Sequence, residues 1–553
     1  MEKVWLKNYQ AGVPAEIDPD KYSSISEVFE ATCQKYKNNP SFTNMNKTIS
    51  FAELEEKSRA FAAYLQIILG VRKGDRIALM MPNLLQYPVA LFGALRAGLV
   101  IVNVNPLYTA RELEIQLKDS GCQTIVVLTN FANTLEIVLS KTAIKNVIIT
   151  EVGDMLSPVQ SLMVNWVVKY IKQMVPRWSI RGSIPFKKIL KVGSKLVFRK
   201  PILKSEDLAF LQYTGGTTGQ PTGVMLTHRN IVANMMQATA WVNPYIKWGE
   251  EIIITALPLY HIFSLLANCL AFMYLGALNV LVTNPRDMKS FVKILRRYRF
   301  TAMTGVNTLY NALLNQEAFS KLNFSGLRMV LGGGMAVQRA VAERWKAVTG
   351  VTLLEAYGLT ETAPAVCINP ATLENYNGSV GLPISSTDVS IQDDEGNVLG
   401  FNQPGELCVR GPQVMKGYWQ KPRETMEVLQ DGWLKTGDIA TLDEQGYVRI
   451  VDRKKDMILI SGFNVYPNEI EDVIAMMEEV SEVAVIGVPT EGGEKVKAFI
   501  VKKDPNLTAE MVIKHCRTQL TGYKIPKEVE FRVDLPKSNV GKILRRALKE
   551  KNK

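Results

Sequence analysis

The chain has 553 residues, too many for one hydrophobic core, so two or more domains are expected. Apolar residues make up 47% and charged residues 21%, the balance of an ordinary soluble globular protein. Six scattered cysteines (Cys33, Cys122, Cys269, Cys367, Cys408, Cys516) form no Cys-x-x-Cys pair, which argues against a zinc site or a disulfide framework and suits a reducing cytoplasm.

Met1-Glu2-Lys3-Val4-Trp5 does not read as a signal peptide. Strand-like and helix-like pieces then alternate as an α/β sheet requires. Strands are predicted over 76–81, 99–104, 124–128 and 147–150, with a helix over 88–97. Thr109 and Glu112 form a capping box that opens a further helix ending near Ser120-Gly121.

The net charge of +12 is concentrated in 155–205, which holds eleven Lys or Arg residues and no Asp or Glu. Within it a helix is predicted over 161–175, with Asn165, Lys169 and Lys172 as a polar stripe and Leu162, Trp166, Val167, Tyr170, Ile171 and Met174 over much of the rest. A basic amphipathic helix with Trp is an interfacial membrane pattern. Peripheral contact with the inner membrane surface is therefore expected through 155–205, with Lys187, Lys188, Lys191 and Lys195 among its cations. No nucleic-acid partner is expected.

The alternation resumes with strands over 208–213, 252–257, 278–282, 301–304 and 329–331. The uncharged run 264–282 is long enough to span a bilayer, but Gly276-Ala277 divides it and Asn268 and Asn279 interrupt it. A buried helix followed by a buried strand is the better reading. From about Gly378 short strands and Gly-centred turns, such as Asp394-Glu395-Gly396-Asn397 and Gln445-Gly446, predict a β-rich piece over 378–454. After the charged junction Arg453-Lys454-Lys455-Asp456, a compact α/β unit with helices over 468–477, 508–519 and 542–549 is expected. The fold class is thus α/β: a large N-terminal domain, 1–454, and a small C-terminal α+β domain, 455–553.

The sharpest chemical signal is Tyr213-Thr214-Gly215-Gly216-Thr217-Thr218-Gly219-Gln220-Pro221-Thr222-Gly223. Its glycines allow close backbone approach to a ligand, and its threonine hydroxyls add donors for phosphate oxygens. No Gly-Lys-Ser/Thr follows, so it is not a Walker A loop. It resembles the phosphate loop of the adenylate-forming superfamily of acyl-CoA synthetases and related ligases. Tyr357-Gly358-Leu359-Thr360-Glu361-Thr362 is similar to that family's adenine and magnesium motif. Asp431-Gly432-Trp433-Leu434-Lys435-Thr436-Gly437-Asp438, continuing through Asp452-Arg453 to Gly462, Val465, Pro467 and Glu469-Ile470-Glu471, resembles the fatty-acyl-CoA synthetase signature. Leu535-Pro536-Lys537-Ser538-Asn539-Val540-Gly541-Lys542 resembles the catalytic-lysine motif. Taken in order, the matches resemble bacterial long-chain-fatty-acid–CoA ligases closely.

The resemblance implies activation of a long-chain fatty acid by ATP to an acyl-adenylate, then thioester formation with CoA. It implies that 214–219 holds the β- and γ-phosphates, with Tyr213 beside them, and that Glu361 and Thr214 hold Mg²⁺. Tyr357 would stack on adenine, flanked by Gly358 and Thr360, with Gly333 and Gly334 bordering the base. Asp438 would bind the ribose hydroxyls, assisted by Arg453. Lys542 would bridge the acyl carboxylate and the α-phosphate, and His261 would stand beside that carboxylate. Lys455 matches the hinge of a mobile C-terminal domain, and Gly462 the pantetheine tunnel. The acyl pocket is expected around Trp241, 306–314 and 331–335. One departure stands out: the family usually has Lys before the last glycine of the phosphate loop, and this chain has Thr222. A hydroxyl does not replace a point charge on pyrophosphate, so slower adenylation or altered pyrophosphate release is expected. Two other readings stay open at this point: an acyl-AMP ligase serving a carrier protein, and a membrane-bound fatty-acid carrier without catalysis. The sequence sets no oligomeric state, a dimer being one compatible assembly.

Overall fold

The computed structural model describes residues 2–215, 221–460, 463–490, 493–538 and 540–550. Two large sheets form its body. In one, the strands Ile252–Thr255, Leu278–Leu281, Ala302–Gly305, Met329–Gly332 and Leu353–Gly358 run parallel. At one edge Ala365–Ile368 and Leu382–Pro383 extend it, each antiparallel to the strand before it; at the other, Pro40–Asn44 joins parallel to Leu278–Leu281 and Lys47–Ser50 antiparallel to Pro40–Asn44. In the second sheet, Arg76–Met80, Val100–Asn103, Thr124–Leu128, Asn146–Thr150 and Leu208–Gly215 are parallel. Pro221–Thr227 folds back antiparallel on Leu208–Gly215 to make a hairpin, and Gly417–Tyr418 adds to its outer edge.

Apolar runs such as Thr124–Leu128, buried at every position, are what strands covered on both faces require. The helix Ala110–Ser120 carries the predicted capping box between Thr109 and Glu112. It stops at Gly121, whose φ of 60° suits glycine at a helix C-terminus. The run 264–282 folds as helix then strand: helical turns Ile262–Ser264, Leu265–Leu270 and Ala271–Tyr274 precede Leu278–Leu281. Gly276 makes the reversal at φ +71°, and a Cβ there would meet the Tyr36 ring at 2.5 Å. No helix among the described residues is long and apolar enough to cross a membrane.

The β-rich piece forms as expected around Asp388–Gln392, Gly405–Arg410, Trp433–Leu442 and Val448–Arg453. From Ile458 a smaller unit follows, in which Val480–Thr490, Gly493–Lys502 and Glu528–Arg532 form a sheet packed by the helices Pro467–Ala475 and Ala509–Gln519. Two helices depart from expectation. The one predicted over 161–175 runs as Pro158–Trp166 and a wider π-helical turn, Val167–Ile171, and positive φ at Gln173 ends it. The one predicted from 542 begins only at Arg545, because Lys537 and Ile543 bridge across a tight turn that holds Lys542 outside the helix. All six cysteines are free and buried.

Candidate active site

The parallel strands of the first sheet end on a cavity of about 1360 Å³, closed on its other side by the C-terminal unit. Of the residues singled out in the sequence, Tyr213, Thr214, His261, Gly333, Gly334, Tyr357, Gly358, Thr360, Glu361, Asp438, Arg453, Lys455 and Lys542 all line it. Gly215 closes the hairpin strand opposite Pro221. Gly216, Thr217, Thr218, Gly219 and Gly462 lie outside the described residues.

Three segments build the nucleotide-sized end. The strand Leu353–Gly358 delivers Tyr357, whose hydroxyl donates to Asp438 Oδ2 at 2.6 Å. Burial, reinforced by the Asp438 charge, keeps that phenol protonated far above its ordinary range. Asp438 is 4% exposed and stands opposite Arg453 in the pairing of Trp433–Leu442 with Val448–Arg453. Arg453 Nε lies 3.4 Å from its other oxygen. Gly358 is required where it stands, because a Cβ would fall 2.0 Å from the Pro364 carbonyl oxygen.

Glu361 sits on the short turn Thr360–Thr362 directly after that strand. It accepts a hydrogen bond from the Tyr418 hydroxyl at 3.0 Å, and burial raises its pKa. Facing it is the hairpin, where Thr214 pairs with Thr222 and Tyr213 with Gly223. The Tyr213 hydroxyl donates to Asp119, so it serves the frame of the hairpin while its ring lines the cavity. Among the described residues no three Asp, Glu, His or Cys side chains cluster as a metal site.

Lys542 enters from the C-terminal unit. Its backbone N–H donates to Ser538 Oγ at 3.1 Å, and Thr308 of the large body donates to the Gly541 carbonyl at 2.9 Å. Burial first, then the Arg453 charge, lowers the ammonium's pKa to about 8. His261 shares the cavity; burial first, then the Lys542 charge, lowers its pKa to about 4. Its Nδ1 accepts the Phe263 backbone N–H at 3.3 Å, so the neutral ring carries its proton on Nε2. Burial, and then Arg453, also lowers the pKa of Lys455 at the junction.

The apolar part of the cavity is deeper than the sequence suggested. Trp241, Val306, Leu331 and Met335 line it as expected. So do Ile262 and, from the very run whose hydrophobicity had raised the question of a bilayer span, Leu266, Ala271, Phe272 and Leu275. Tyr418, Lys421 and Arg545 were missed. Tyr418 and Lys421 lie outside the recognised motifs, whereas Arg545 stands three residues after Lys542 and offered a signal. Arg545 donates to Asp452 Oδ1 at 2.8 Å, Glu471 Oε2 at 2.7 Å and Asn468.

Comparison with known proteins agrees with this architecture. The profile of the AMP-binding enzyme family matches residues 29–419, and that of the AMP-binding enzyme C-terminal domain matches 469–542. A long-chain-fatty-acid–CoA ligase of Yersinia pestis is 60% identical over 100% of this chain and 98% of its own, and one of Escherichia coli O157:H7 is 59% identical with the same coverage. The crystal structure of the anthranilate CoA ligase AuaEII in complex with anthranoyl-AMP shares the fold, with a TM-score of 0.86 at 23% identity over 97% of this chain and 99% of that one. On the strength of the two family matches and full-length relatives, this chain belongs to the AMP-binding enzyme family.

Proposed function

We propose that this protein activates a long-chain fatty acid with ATP, forming an acyl-adenylate, and passes the acyl group to coenzyme A. The observation that carries this reading is one cavity in which a polar end, with Asp438, Arg453, Glu361 and Lys542, runs into an apolar wall from Ile262 to Leu275. In the first step a carboxylate oxygen of the fatty acid bonds to the α-phosphorus of ATP and pyrophosphate leaves. In the second the CoA sulfur, its proton lost, bonds to the acyl carbon and AMP leaves.

Lys542 supplies the fixed charge between carboxylate and α-phosphate, where negative charge builds in the transition state. Neutral His261 offers its Nε2 proton to the carboxylate. Asp438 receives the ribose hydroxyls and Tyr357 stacks on adenine, with Gly333, Gly334, Gly358 and Thr360 around the base. A buried carboxylate whose pKa burial has raised is a group in want of a cation, and Mg²⁺ needs only one or two protein carboxylates beside substrate phosphates. Glu361, with Thr214, would hold that ion, which when bound neutralises phosphate charge. We place the domain boundary at 454/455, with Lys455 as the hinge; the loop 216–219 and Gly462 complete the phosphate and pantetheine contacts.

We further propose peripheral contact with the inner, cytoplasmic membrane surface through 155–205. Leu162, Ile171 and Trp166 are 75%, 62% and 55% exposed, and Tyr170 and Met174 also face outward. The polar Asn165 turns inward instead, accepting the Gly153 N–H at 2.7 Å and donating to Glu151 at 3.0 Å. A helix with its apolar side out presents a patch that an aqueous surface does not favour. Lys187 is engaged by Asp154 at 3.3 Å, which leaves Lys188 and Lys191 of the helix Phe186–Gly193, and Lys195 just after it, as exposed cations without a carboxylate partner among the described residues.

The test is pyrophosphate exchange into ATP and acyl-CoA formation, over fatty acids from short to long. Exchange without acyl-CoA when free CoA is supplied would favour delivery to a carrier protein. No exchange with any acid would favour a non-catalytic carrier.

A further inference from the structure

The hairpin that faces the cavity carries no Lys or Arg anywhere from Leu208 to Thr227. A loop meant to hold a polyphosphate by hydroxyls and backbone N–H groups alone lacks the charge that a tri-anion calls for. The structure supplies one from elsewhere in the chain. Lys421 Nζ donates to Thr222 Oγ1 at 2.9 Å. Lys421 is half-buried, and among the described residues no carboxylate lies within ion-pair distance of it.

The root of Lys421 is held firmly. Tyr418 pairs with Val224 on the outer hairpin strand, and the Trp419 N–H donates to the Gly223 carbonyl at 2.8 Å. Trp419 Nε1 donates to the Asp119 carbonyl at 3.1 Å, and a tight turn with Gln420 at φ +55° brings Lys421 back against the hairpin. Lys421, Thr222, Thr214 and Glu361 line the same cavity. The Lys421 ammonium turns onto Thr222, on the strand that follows the phosphate loop, and not out into water.

We propose that Lys421 is the cation of the phosphate site, binding the terminal phosphates of ATP and the departing pyrophosphate from a segment outside the loop. This rests on the adenylation reading above. Thr222 then orients the ammonium, and the charge missing from the loop is restored across the hairpin.

The test combines kinetics with calorimetric binding of inorganic pyrophosphate. Lys421→Met is expected to raise KM for ATP and Kd for pyrophosphate at least tenfold, leaving CoA transfer from preformed acyl-adenylate unchanged. Lys421→Arg should stay within threefold of the parent. Adding Thr222→Lys to Lys421→Met should recover most of the loss, a rescue that a merely structural lysine would not show. Unchanged pyrophosphate affinity in Lys421→Met overturns the proposal, as does failure of the double variant to recover when Thr222→Lys alone is active. Absence of fatty-acid-dependent exchange in the parent instead overturns the adenylation reading, and pyrophosphate binding still judges Lys421.

Discussion

The Tyr357 hydroxyl donates to Asp438 at 2.6 Å, so the residue proposed for adenine caps the residue proposed for ribose. A hydrogen bond to a charged group contributes about 1.5–3 kcal/mol. Tyr357→Phe is therefore expected to lower the thermal midpoint of the nucleotide-free protein. Saturating ATP should narrow that gap, because ribose hydroxyls replace the lost donor. Melting curves with and without ATP check this, and a gap indifferent to ATP would remove Asp438 from the ribose site.

Lys542→Ala is expected to lower acyl-adenylate formation by about 10²–10³-fold, the loss typical of one fixed transition-state donor. Transfer from preformed acyl-adenylate to CoA should survive. With its pKa lowered to about 8 by burial, Lys542 loses its charge as pH rises through that value. The kcat/KM of adenylation, which reports the free enzyme, should then fall above pH 8. In Lys542→Arg that limb should disappear.

His228 is buried and His261 is half-buried on the cavity wall, and desolvation is the first cause lowering each pKa to about 4. Above about pH 6.5 they are neutral folded or unfolded. As pH falls below that, the unfolded chain takes up protons that the folded one refuses, so stability is lost between pH 6.5 and 4, on the order of 3 kcal/mol for each group. His228 Nδ1 also accepts the Ile25 N–H at 3.2 Å, which starts a helix. His228→Asn should flatten part of the decline in urea midpoint across this window.

Replacing Leu162, Trp166 and Ile171 together by serine should abolish cosedimentation with anionic vesicles, since each apolar side chain contributes about 1.5–3 kcal/mol when fully buried. Exchange activity on a short soluble acid should stay intact. Neutralising Lys188, Lys191 and Lys195 should weaken binding more at low salt than at high. Vesicle binding indifferent to both changes would exclude this surface.

Much of the fold was legible because its signals are local. Thr124–Leu128 declares itself by an unbroken apolar run, and Thr109 with Glu112 marks a helix start within four residues. Site residues inside contiguous motifs were legible for the same reason. What was not legible depends on which strands pair. Nothing near Lys421 announces Thr222, 199 residues away, until Gly417–Tyr418 joins the hairpin edge. The outward apolar face of Pro158–Trp166 was half legible: periodicity gave the stripe, but only the bonds of Asn165 to Gly153 and Glu151 say which side faces in.

Arg545 ties together residues on both sides of the hinge proposed at Lys455. It donates to Glu471 and Asn468, which follow Lys455 in the chain, and to Asp452, which precedes it. On the proposed turn about Lys455, Arg545 would part from Asp452, and so would the Asn468 N–H that donates to its other oxygen at 2.9 Å, leaving a buried carboxylate to find new partners. Breaking those bonds is then expected to help set how long Lys542 stays in the cavity. A chain altered at Asp452 would change the interval between the two half-reactions while leaving the chemistry of each alone.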